Sequence, residues 1–537
     1  MSIFAPATKQ AQAALPSFEE LKNDFTLFRD RQRSLDELNL WRDIAKEQIA
    51  YLSERIFLEE HSHLEAIGAT YTGYGQLHRP LNRIDQQVLE EAFIKKLFYE
   101  QLLMHPSILT AYQGIERAGF KGVSAAKFPS QHELLDTKNA FSFDDFGFLS
   151  RAPAPEDNVI ESTTEAICRG AAFSWATHAF PSQYVMGSSM PDLWGDLGLA
   201  SLAKLFCIAI TPCDGDVGRR EDQLARYISA KNLILNDPSI NYHPYKDYML
   251  PSGDKLGDFV KKRALAHLGA ALKPGKGIAK KYAPLIEDHG CRIVEVYDPG
   301  CTNLIESSVA ELRDSYGDKI EILCGRIPQD PDLKSFANLL IRLSKHRVTL
   351  RIGLLDGKIC STHAVTGGMA PENLQTAVRA INLHGQILAA TGHHTPVSVE
   401  GGASSRLGLA IACGINAVGI SGSLGGGSVE HIPPLFEYSN GRKPYSGEAS
   451  PATKAKSGKL NAVGDEIQVE GYSGATQPRS GIPNSIAKAV NDRLYGITKA
   501  LRFMRYNSVI EAQGDPGSAQ LITKFSPSAS DAAKVHI

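Results

Sequence analysis

The chain has 537 residues, 43% of them hydrophobic and 22% charged, and its formal net charge is -2. This near-neutral balance gives no electrostatic reason to expect nucleic acid or an anionic membrane as a partner. The length exceeds one ordinary domain but suits an α/β barrel with one appended unit.

The eight cysteines are scattered, with no C-x-x-C pair and no zinc-finger spacing, so no metal site is predicted. Several lie in apolar runs such as FCIAI and EILCG, where a reduced thiol behaves as a small core residue. The N-terminus lacks a basic region followed by an apolar one, and no run is long enough to span a bilayer. We therefore expect a cytoplasmic protein with no membrane partner.

Residues 1–135 are predicted to form an appended helical region. The segment SFEELKNDFTLFRDRQ opens with a Ser-x-x-Glu capping pattern, and apolar residues recur at three- and four-residue spacing through WRDIAKEQIAYLSERIFLEE. After the turn-rich GATYTGYGQLHRPLN, the same pattern repeats in IDQQVLEEAFIKKLFYEQLLMH. We interpret the region as a packing or oligomerisation unit, and a ligand-binding module is the alternative.

Residues 136–505 are predicted to form a (β/α)₈ TIM barrel, because short β-rich runs alternate with helical stretches and eight such runs close a barrel. The link from 211 to 263 is long and polar, which indicates a lid or a vestigial insertion site. Residues 506–537 are predicted to be a weakly ordered tail. The predicted strands are YVMGSS (184–189), LFCIAI (205–210), ALAHLGAAL (264–272), RIVEVYD (292–298), KIEILCG (319–325), RVTLRIG (347–353), PVSVEGG (396–402) and AVGISG (417–422).

The segment LRIGLLDGKICSTHAVT (350–366) carries a candidate nucleophile, Cys360, on a loop just past a predicted buried strand. Its thiolate could attack an electrophilic carbon, and Thr362 could orient a group or relay a proton. The alternative is a buried, reduced cysteine with a packing role. Residues alone leave the two interpretations nearly balanced.

Glycine-rich turns follow the seventh and eighth predicted strands, at Gly401-Gly402 and Gly422-Ser423. Backbone amides of such turns bind phosphate, and in barrels the phosphate site commonly lies after these two strands. Glu400, at the end of its strand, could accept hydrogen bonds from ribose hydroxyls. The alternative is that the glycines only form tight turns.

A polar segment at about 440–481 is predicted to be an active-site flap, with a disordered excursion as the alternative. It contains GRKPYSGEAS and EGYSGATQPRSG.

Together these motifs resemble the IMP dehydrogenase and GMP reductase family over about residues 142–505. SFDDFGF (142–148) resembles the family's Thr-Phe-Asp-Asp segment, and GSSMPD (187–192) its first-strand loop. LRIGLLDGKICST resembles the segment with the catalytic cysteine, and the two glycine turns resemble its phosphate loops. The flap motifs resemble the stretches that contact the phosphate and the purine base.

The resemblance implies a purine nucleoside monophosphate, or a close analogue, lying across the barrel mouth. Cys360 would add to C2 of the purine, with Thr362 and Glu470 as further catalytic residues, and hydride would move between that carbon and NAD or NADP. We expect a homo-oligomer, a tetramer or higher. The residues assigned to the substrate are Ser189, Lys358, Ser361, Glu400, Gly401, Gly402, Gly422, Ser423, Tyr445, Gly447 and Glu448, and those assigned to the cofactor are Asp298, Arg326 and Gly353.

Departures from the family pattern narrow the reaction. The flap has KAKSGKLN where the dehydrogenases carry an Arg-Tyr pair that activates water, whereas Thr362 and Glu470, implicated in the reductase's deamination step, are retained. The regulatory insertion after the second strand is missing, as in the reductases. We therefore expect NAD(P)H-dependent reduction. The alternatives are oxidation with another water activator such as Lys459, a non-redox cysteine-dependent change to the base, and a nucleotide-binding pseudoenzyme.

Three further differences concern the loop around Cys360 and the cofactor side. Lys358 replaces the family's phosphate-binding serine, and its ammonium could bind that phosphate, bind an extra anionic group, or lower the pKa of Cys360. LLDG replaces the turn that holds a monovalent cation, so we do not assign that ion. Arg326 stands where the family has an asparagine near the nicotinamide.

Overall fold

The structure is a computed structural model. It describes residues 71–72, 76–77, 141–152, 172–173, 175–177, 182–189, 194–213, 220–237, 247, 249, 254–298, 303–328, 330–353, 373–426, 428, 430, 443–446, 473–476, 486–506 and 509–525.

Eight parallel strands, β6 to β13, close into a barrel in chain order, with β13 paired to β6. The fold is therefore the (β/α)₈ barrel that the sequence predicted, and each of the eight predicted runs overlaps one of its strands. The described strands are β1 Tyr71–Thr72, β2 Gln76–Leu77, β3 Phe146–Phe148, β4 Ala172–Phe173, β5 Ser182–Gln183, β6 Val185–Gly187, β7 Ala209–Thr211, β8 Leu268–Leu272, β9 Ile293–Tyr297, β10 Glu321–Gly325, β11 Thr349–Ile352, β12 Val397–Glu400, β13 Ala417–Ile420, β14 Lys443–Ser446, β15 Ser473–Thr476 and β16 Ile522–Lys524.

Helices follow the barrel strands and cover their outer side. The described α-helices are α1 Asp196–Lys204, α2 Arg220–Leu235, α3 Leu256–Ala266, α4 Ile278–Ala283, α5 Leu304–Tyr316, α6 Leu333–Ser344, α7 Asn373–Asn382, α8 His384–Thr391, α9 Leu407–Ala412, α10 Gly422–Gly425, α11 Ile486–Met504 and α12 Val509–Gly514. Short 3₁₀ helices lie at Phe143–Asp145, Gly317–Lys319 and Pro516–Leu521, and a π-helical turn lies at Pro284–Asp288. Within the described residues, no helix is long and apolar enough to cross a membrane.

Side chains alternate between the barrel interior and the helical layer along each strand. In β9, Val294 and Val296 belong to the large core between barrel and helices, whereas Ile293 belongs to a smaller interior cluster with Ile210 and Leu323. Packing on both faces explains why the strands read as continuous apolar runs.

The predicted third strand was too long at its start, because residues 264–266 are the last turn of α3 and the strand begins at Leu268. The link that leads to it is also not simply a lid or an insertion site. It contains α2, which buries Gln223, Tyr227, Ala230 and Ile234. The Gln223 side chain donates to the carbonyl of Ala271 at 2.6 Å and ties α2 to the barrel.

The weakly ordered tail predicted from residue 506 does not hold for 509–525. Strand β16 pairs antiparallel with β3, which is the end of the SFDDFGF segment, and Ser142 and Asp145 at the start of that segment form a capping box. Asp515 accepts from the Tyr506 hydroxyl at 2.6 Å and from the amide of Gly517 at 2.8 Å. Hydrogen bonds and strand pairing thus order a segment whose Ser, Ala and Gly content suggested otherwise.

The helices predicted within residues 1–135 lie outside the described residues. The part that is described there is a short antiparallel pairing of β1 with β2, in the turn-rich break between the two predicted helical stretches.

Candidate functional site

Four motif-bearing strand ends are neighbours at one rim of the barrel, in the order β11, β12, β13, β6. Because the strands are parallel, their carboxyl ends meet there, at the face where barrel enzymes keep their active sites. β11 leads to Gly353 and the Cys360 segment, β12 ends at Glu400, β13 leads to Gly422, and β6 leads to Ser189. Lys358, Cys360, Ser361, Thr362, Gly447, Glu448 and Glu470 lie outside the described residues.

Gly353 allows β11 and β12 to approach each other closely at this rim. Its φ is 144°, and a Cβ placed on it would come within 2.3 Å of the carbonyl oxygen of Glu400. Any side chain here would push apart the two strands that bear the candidate nucleophile segment and Glu400. The residue predicted to contact the cofactor therefore has a clear structural reason to be glycine.

The two predicted phosphate turns have backbone conformations suited to tight turns. Gly401 and Gly402 adopt φ values of 76° and 66°, which favour glycine. Gly422 and Ser423 begin a single helical turn, in which the amide of Gly426 donates to the carbonyl of Gly422 at 2.9 Å. The first amides of such a turn have no partner within it, so they are available to an anion.

Two of the three residues predicted on the cofactor side, Asp298 and Arg326, are neighbours at the ends of β9 and β10. The amide of Asp298 donates to the carbonyl of Gly325 at 3.0 Å, and the amide of Arg326 approaches the carbonyl of Asp298 at 3.4 Å. Asp298 is partly exposed, whereas Arg326 is only 7% exposed. Of these two side chains, Asp298 is the more accessible to a bound molecule.

The flap motifs are brought together by the antiparallel pairing of β14 with β15. Tyr445 lies opposite Gly474, and Ser446 opposite Ser473. Gly447 and Glu448 come directly after the first of these strands, and Glu470 comes three residues before the second. The ladder thus joins the two ends of the predicted flap, although they are more than twenty residues apart in the chain.

A buried charge cluster lies inside the barrel, just below the rim, and the sequence did not predict it. Arg351 on β11 lies between Glu295 on β9 and Glu400 on β12, and it forms ion pairs with both. The side chains of Glu295, Arg351 and Glu400 are 0%, 4% and 11% exposed. The ring of Tyr297 stacks 4.3 Å from the guanidinium carbon of Arg351.

Glycines at neighbouring positions make room for this cluster. A Cβ on Gly419 would lie 2.5 Å from Cγ of Glu400, and one on Gly325 would lie 2.9 Å from Cβ of Arg351. A side chain at Gly419 would displace the carboxylate of Glu400, and one at Gly325 would collide with the backbone of Arg351, whose carbonyl oxygen would lie 2.2 Å from the added Cβ.

The cluster changes the predicted role of Glu400. One carboxylate oxygen, Oε2, is paired with Arg351 and is not free for a ligand. The other, Oε1, has no hydrogen-bond partner within the described parts of the chain. Glu400 can therefore offer one acceptor to a ribose hydroxyl, and not the two that an unpaired carboxylate would provide.

The sequence around Glu295 and Arg351 has a feature that could have indicated their buried pairing. Each of the two is a charged residue inside a mostly apolar strand, IVEVY and TLRI. Glu295 lies two residues before the end of its strand, and Arg351 lies one residue before the end of its own. In a strand buried on both faces, such a residue must find a partner inside the barrel. The pairing itself needs the strand order, which the sequence does not supply.

Three of the described cysteines are buried thiols unsuited to nucleophilic chemistry. Burial raises the pKa of Cys207 and of Cys413 well above the ordinary range, and it raises the pKa of Cys291 to about 12. A thiol becomes a nucleophile only as the thiolate. These three residues are therefore part of the core.

The fold is similar to that of a solved structure, a GMP reductase variant from Trypanosoma brucei in complex with guanosine 5'-monophosphate. The TM-score is 0.54 at 14% sequence identity, and the match covers 74% of this chain and 97% of that chain. Neither the protein-family models nor the curated proteins compared with the sequence gave a match. At this level of identity the likeness shows the barrel fold.

Proposed function

We propose that this protein is a purine-nucleotide reductase of the GMP reductase type, with Cys360 as covalent nucleophile and NAD(P)H as hydride donor. The observation that carries the proposal is the arrangement of the strand ends. The Cys360 segment, Glu400 with Gly401 and Gly402, and Gly422 with Ser423 begin at three consecutive strands of the barrel. A nucleotide spanning such a rim could place its base, ribose and phosphate on successive loops.

The pairing of β14 with β15 supports a second part of the proposal, because it joins the segment of Tyr445, Gly447 and Glu448 to the segment of Glu470. We propose that these residues close over the base and phosphate, with Lys358, Ser361 and Ser189 as further contacts. The neighbour of similar fold was solved with guanosine 5'-monophosphate, which is consistent with a nucleotide of this class.

In the proposed reaction the thiolate of Cys360 attacks C2 of a 2-aminopurine nucleotide and forms a carbon–sulfur bond. The carbon–nitrogen bond to the amino group breaks, and Glu470 with Thr362 supplies the proton with which ammonia leaves. When bound, NAD(P)H supplies a hydride to C2 and is itself oxidised. The carbon–sulfur bond then breaks and returns Cys360 as the thiolate.

The cofactor side offers a partial fit. Asp298 presents a partly exposed carboxylate at the end of β9 that could accept from the hydroxyl groups of a nicotinamide nucleotide. Arg326 is too buried to be a major contact, and the remaining candidate, Gly353, can contribute only backbone. NAD and NADP are both compatible with this set of groups.

Because Arg326 is buried and the predicted cofactor contacts are reduced by one side chain, we also consider a second candidate, a cysteine-dependent change to the base without hydride transfer. The two reactions differ in their products. Reduction consumes one NAD(P)H for each ammonia released, whereas a non-redox reaction alters the base without oxidising the cofactor.

The deciding experiment incubates the full-length protein with guanosine 5'-monophosphate and either NADH or NADPH, and follows cofactor oxidation and ammonia release together. The proposal predicts that the two appear in equal amounts. Ammonia without cofactor oxidation would support the non-redox reaction, and cofactor reduction with inosine 5'-monophosphate and NAD⁺ would indicate the dehydrogenase direction.

A further inference from the structure

The buried cluster of Glu295, Arg351 and Glu400 contains two carboxylates and one guanidinium. The way in which the guanidinium donors are divided decides which carboxylate oxygens can accept a hydrogen bond from a ligand. Nε of Arg351 lies 2.5 Å from Oε1 of Glu295, and Nη2 is paired with Oε2 of Glu400. The donors are thus divided between two partners on strands that are not neighbours, β9 and β12. Arg351 forms an ion pair with one oxygen of each, and its Nη1 has no hydrogen-bond partner among the described residues.

Because its donors are divided in this way, Arg351 does not form the usual bidentate pair with a single carboxylate. A guanidinium that faces a single carboxylate prefers to donate to both of its oxygens. Here Glu295 lies on the Nε side and Tyr297 covers the face of the guanidinium at 4.3 Å, and in this arrangement Arg351 pairs with only one oxygen of Glu400. Oε1 of Glu400 is the oxygen that does not pair with Arg351.

Glu400 itself is held in place from two directions. The side-chain amide of Asn373 donates to its backbone carbonyl at 2.8 Å, and Arg351 holds Oε2. Oε1 turns toward β13, where a Cβ on Gly419 would lie 3.1 Å from it. This oxygen is buried and has no hydrogen-bond partner among the described residues. A buried acceptor without a hydrogen-bond partner is energetically costly. A ligand that donates a hydrogen bond to it therefore binds more tightly.

We propose that Glu295 and Arg351 are positioning residues that make Glu400 a selector for ribonucleotides over deoxyribonucleotides. The inference rests on the proposed function in taking a purine nucleoside monophosphate as the ligand. Glu295 restrains Arg351, Arg351 orients Glu400, and Oε1 of Glu400 accepts from one ribose hydroxyl. A nucleotide without that hydroxyl leaves the buried oxygen unpaired.

The test compares the affinities of the full-length protein for guanosine 5'-monophosphate and for its 2'-deoxy and 3'-deoxy analogues by calorimetry. A hydrogen bond to a charged group contributes about 1.5 to 3 kcal/mol, so the wild type should prefer the ribonucleotide over one of the analogues by roughly 10- to 100-fold. In Glu295→Gln, Arg351 can turn toward Glu400 and capture both oxygens, and the preference should fall to less than about 3-fold.

The matched control is Glu306→Gln, which removes the carboxylate from an exposed pair with Arg342, where Oε2 and Nε lie 3.0 Å apart. It should leave the preference unchanged. If Glu295→Gln weakens the binding of all three nucleotides equally, the role of Glu295 is only structural and the proposal is wrong. An unchanged preference would also contradict it.

A second measurement separates this inference from the proposed function. Unfolding by denaturant of Glu295→Gln, Glu400→Gln and the double variant should show that the two substitutions are coupled, because both carboxylates share Arg351. The coupling should disappear in an Arg351→Met background. If the wild type binds no purine nucleotide, the proposed function fails and with it the ligand named here, while this coupling still decides whether Arg351 links the two carboxylates. Absence of coupling would overturn the positioning role.

Discussion

Arg351 provides the positive charge that pairs with two buried carboxylates at the mouth of the barrel. Its guanidinium is nearly fully buried and bridges two carboxylates on strands that are not neighbours. Removing one partner from a buried ion pair leaves a charge without compensation, which is far more costly than losing a surface pair. This contrast can be measured within the same chain.

We predict that Arg351→Met lowers the free energy of unfolding by about 3 to 5 kcal/mol, because it leaves Glu295 and Glu400 buried without a cation. Denaturant titration followed by circular dichroism measures the change. Arg342→Met is the control, since its pair with Glu306 is 50% and 36% exposed and should contribute less than about 1 kcal/mol. Equal effects of the two substitutions would show that the buried cluster does not stabilise the fold.

The sequence predicted the structural roles of some residues of the site but not those of others. Gly401 and Gly402 could be predicted as a turn because only glycine adopts positive φ at low cost, and both do so. The role of Glu400 was incomplete, because its partner Arg351 comes from another strand. Pairing across the barrel depends on strand order and side-chain direction, which local sequence does not encode.

At the scale of single elements, periodicity predicted the strands well and the connections less well. Helix α2 carries a buried stripe at Gln223, Tyr227, Ala230 and Ile234, whose three- and four-residue spacing is visible in the sequence. The long link was nevertheless interpreted from its polarity. The segment after Arg505 was interpreted from its composition, which cannot reveal that β16 finds a partner in β3.

The ordered segment after Arg505 can be tested with two glutamines. Gln513 is 7% exposed, and its side chain donates to the carbonyl of Ile415 and accepts from Asn416 at 3.4 Å. Gln513→Ala should lower the free energy of unfolding by about 1 to 3 kcal/mol, because it leaves buried polar groups unpaired.

Gln520 lies in the same segment but is exposed, so Gln520→Ala is the matched control, with an expected change within about 0.5 kcal/mol. Both changes are read from denaturant titrations. If Gln513→Ala is as mild as the control, the contacts of Gln513 with Ile415 and Asn416, between α9 and β13, do not stabilise the fold.

At the scale of the whole molecule, the barrel was predictable because its rule is simple. Eight apolar runs separated by helical stretches close a parallel sheet on itself, and the closed order β6 to β13 follows the chain. Closure also determines the site, because it brings the ends of β11, β12, β13 and β6 to one rim. The predicted helical region at 1–135 and the predicted homo-oligomer remain predictions.

The most direct test of the proposed function is the turnover of Cys360→Ala. With guanosine 5'-monophosphate and NADPH or NADH, the wild type should oxidise the cofactor and release ammonia in equal amounts. Cys360→Ala should still bind the nucleotide but show no turnover, because no carbon–sulfur bond can form at C2. Cys413→Ala, which alters a buried core thiol, should keep its turnover per folded molecule. Turnover that survives in Cys360→Ala would contradict the covalent mechanism.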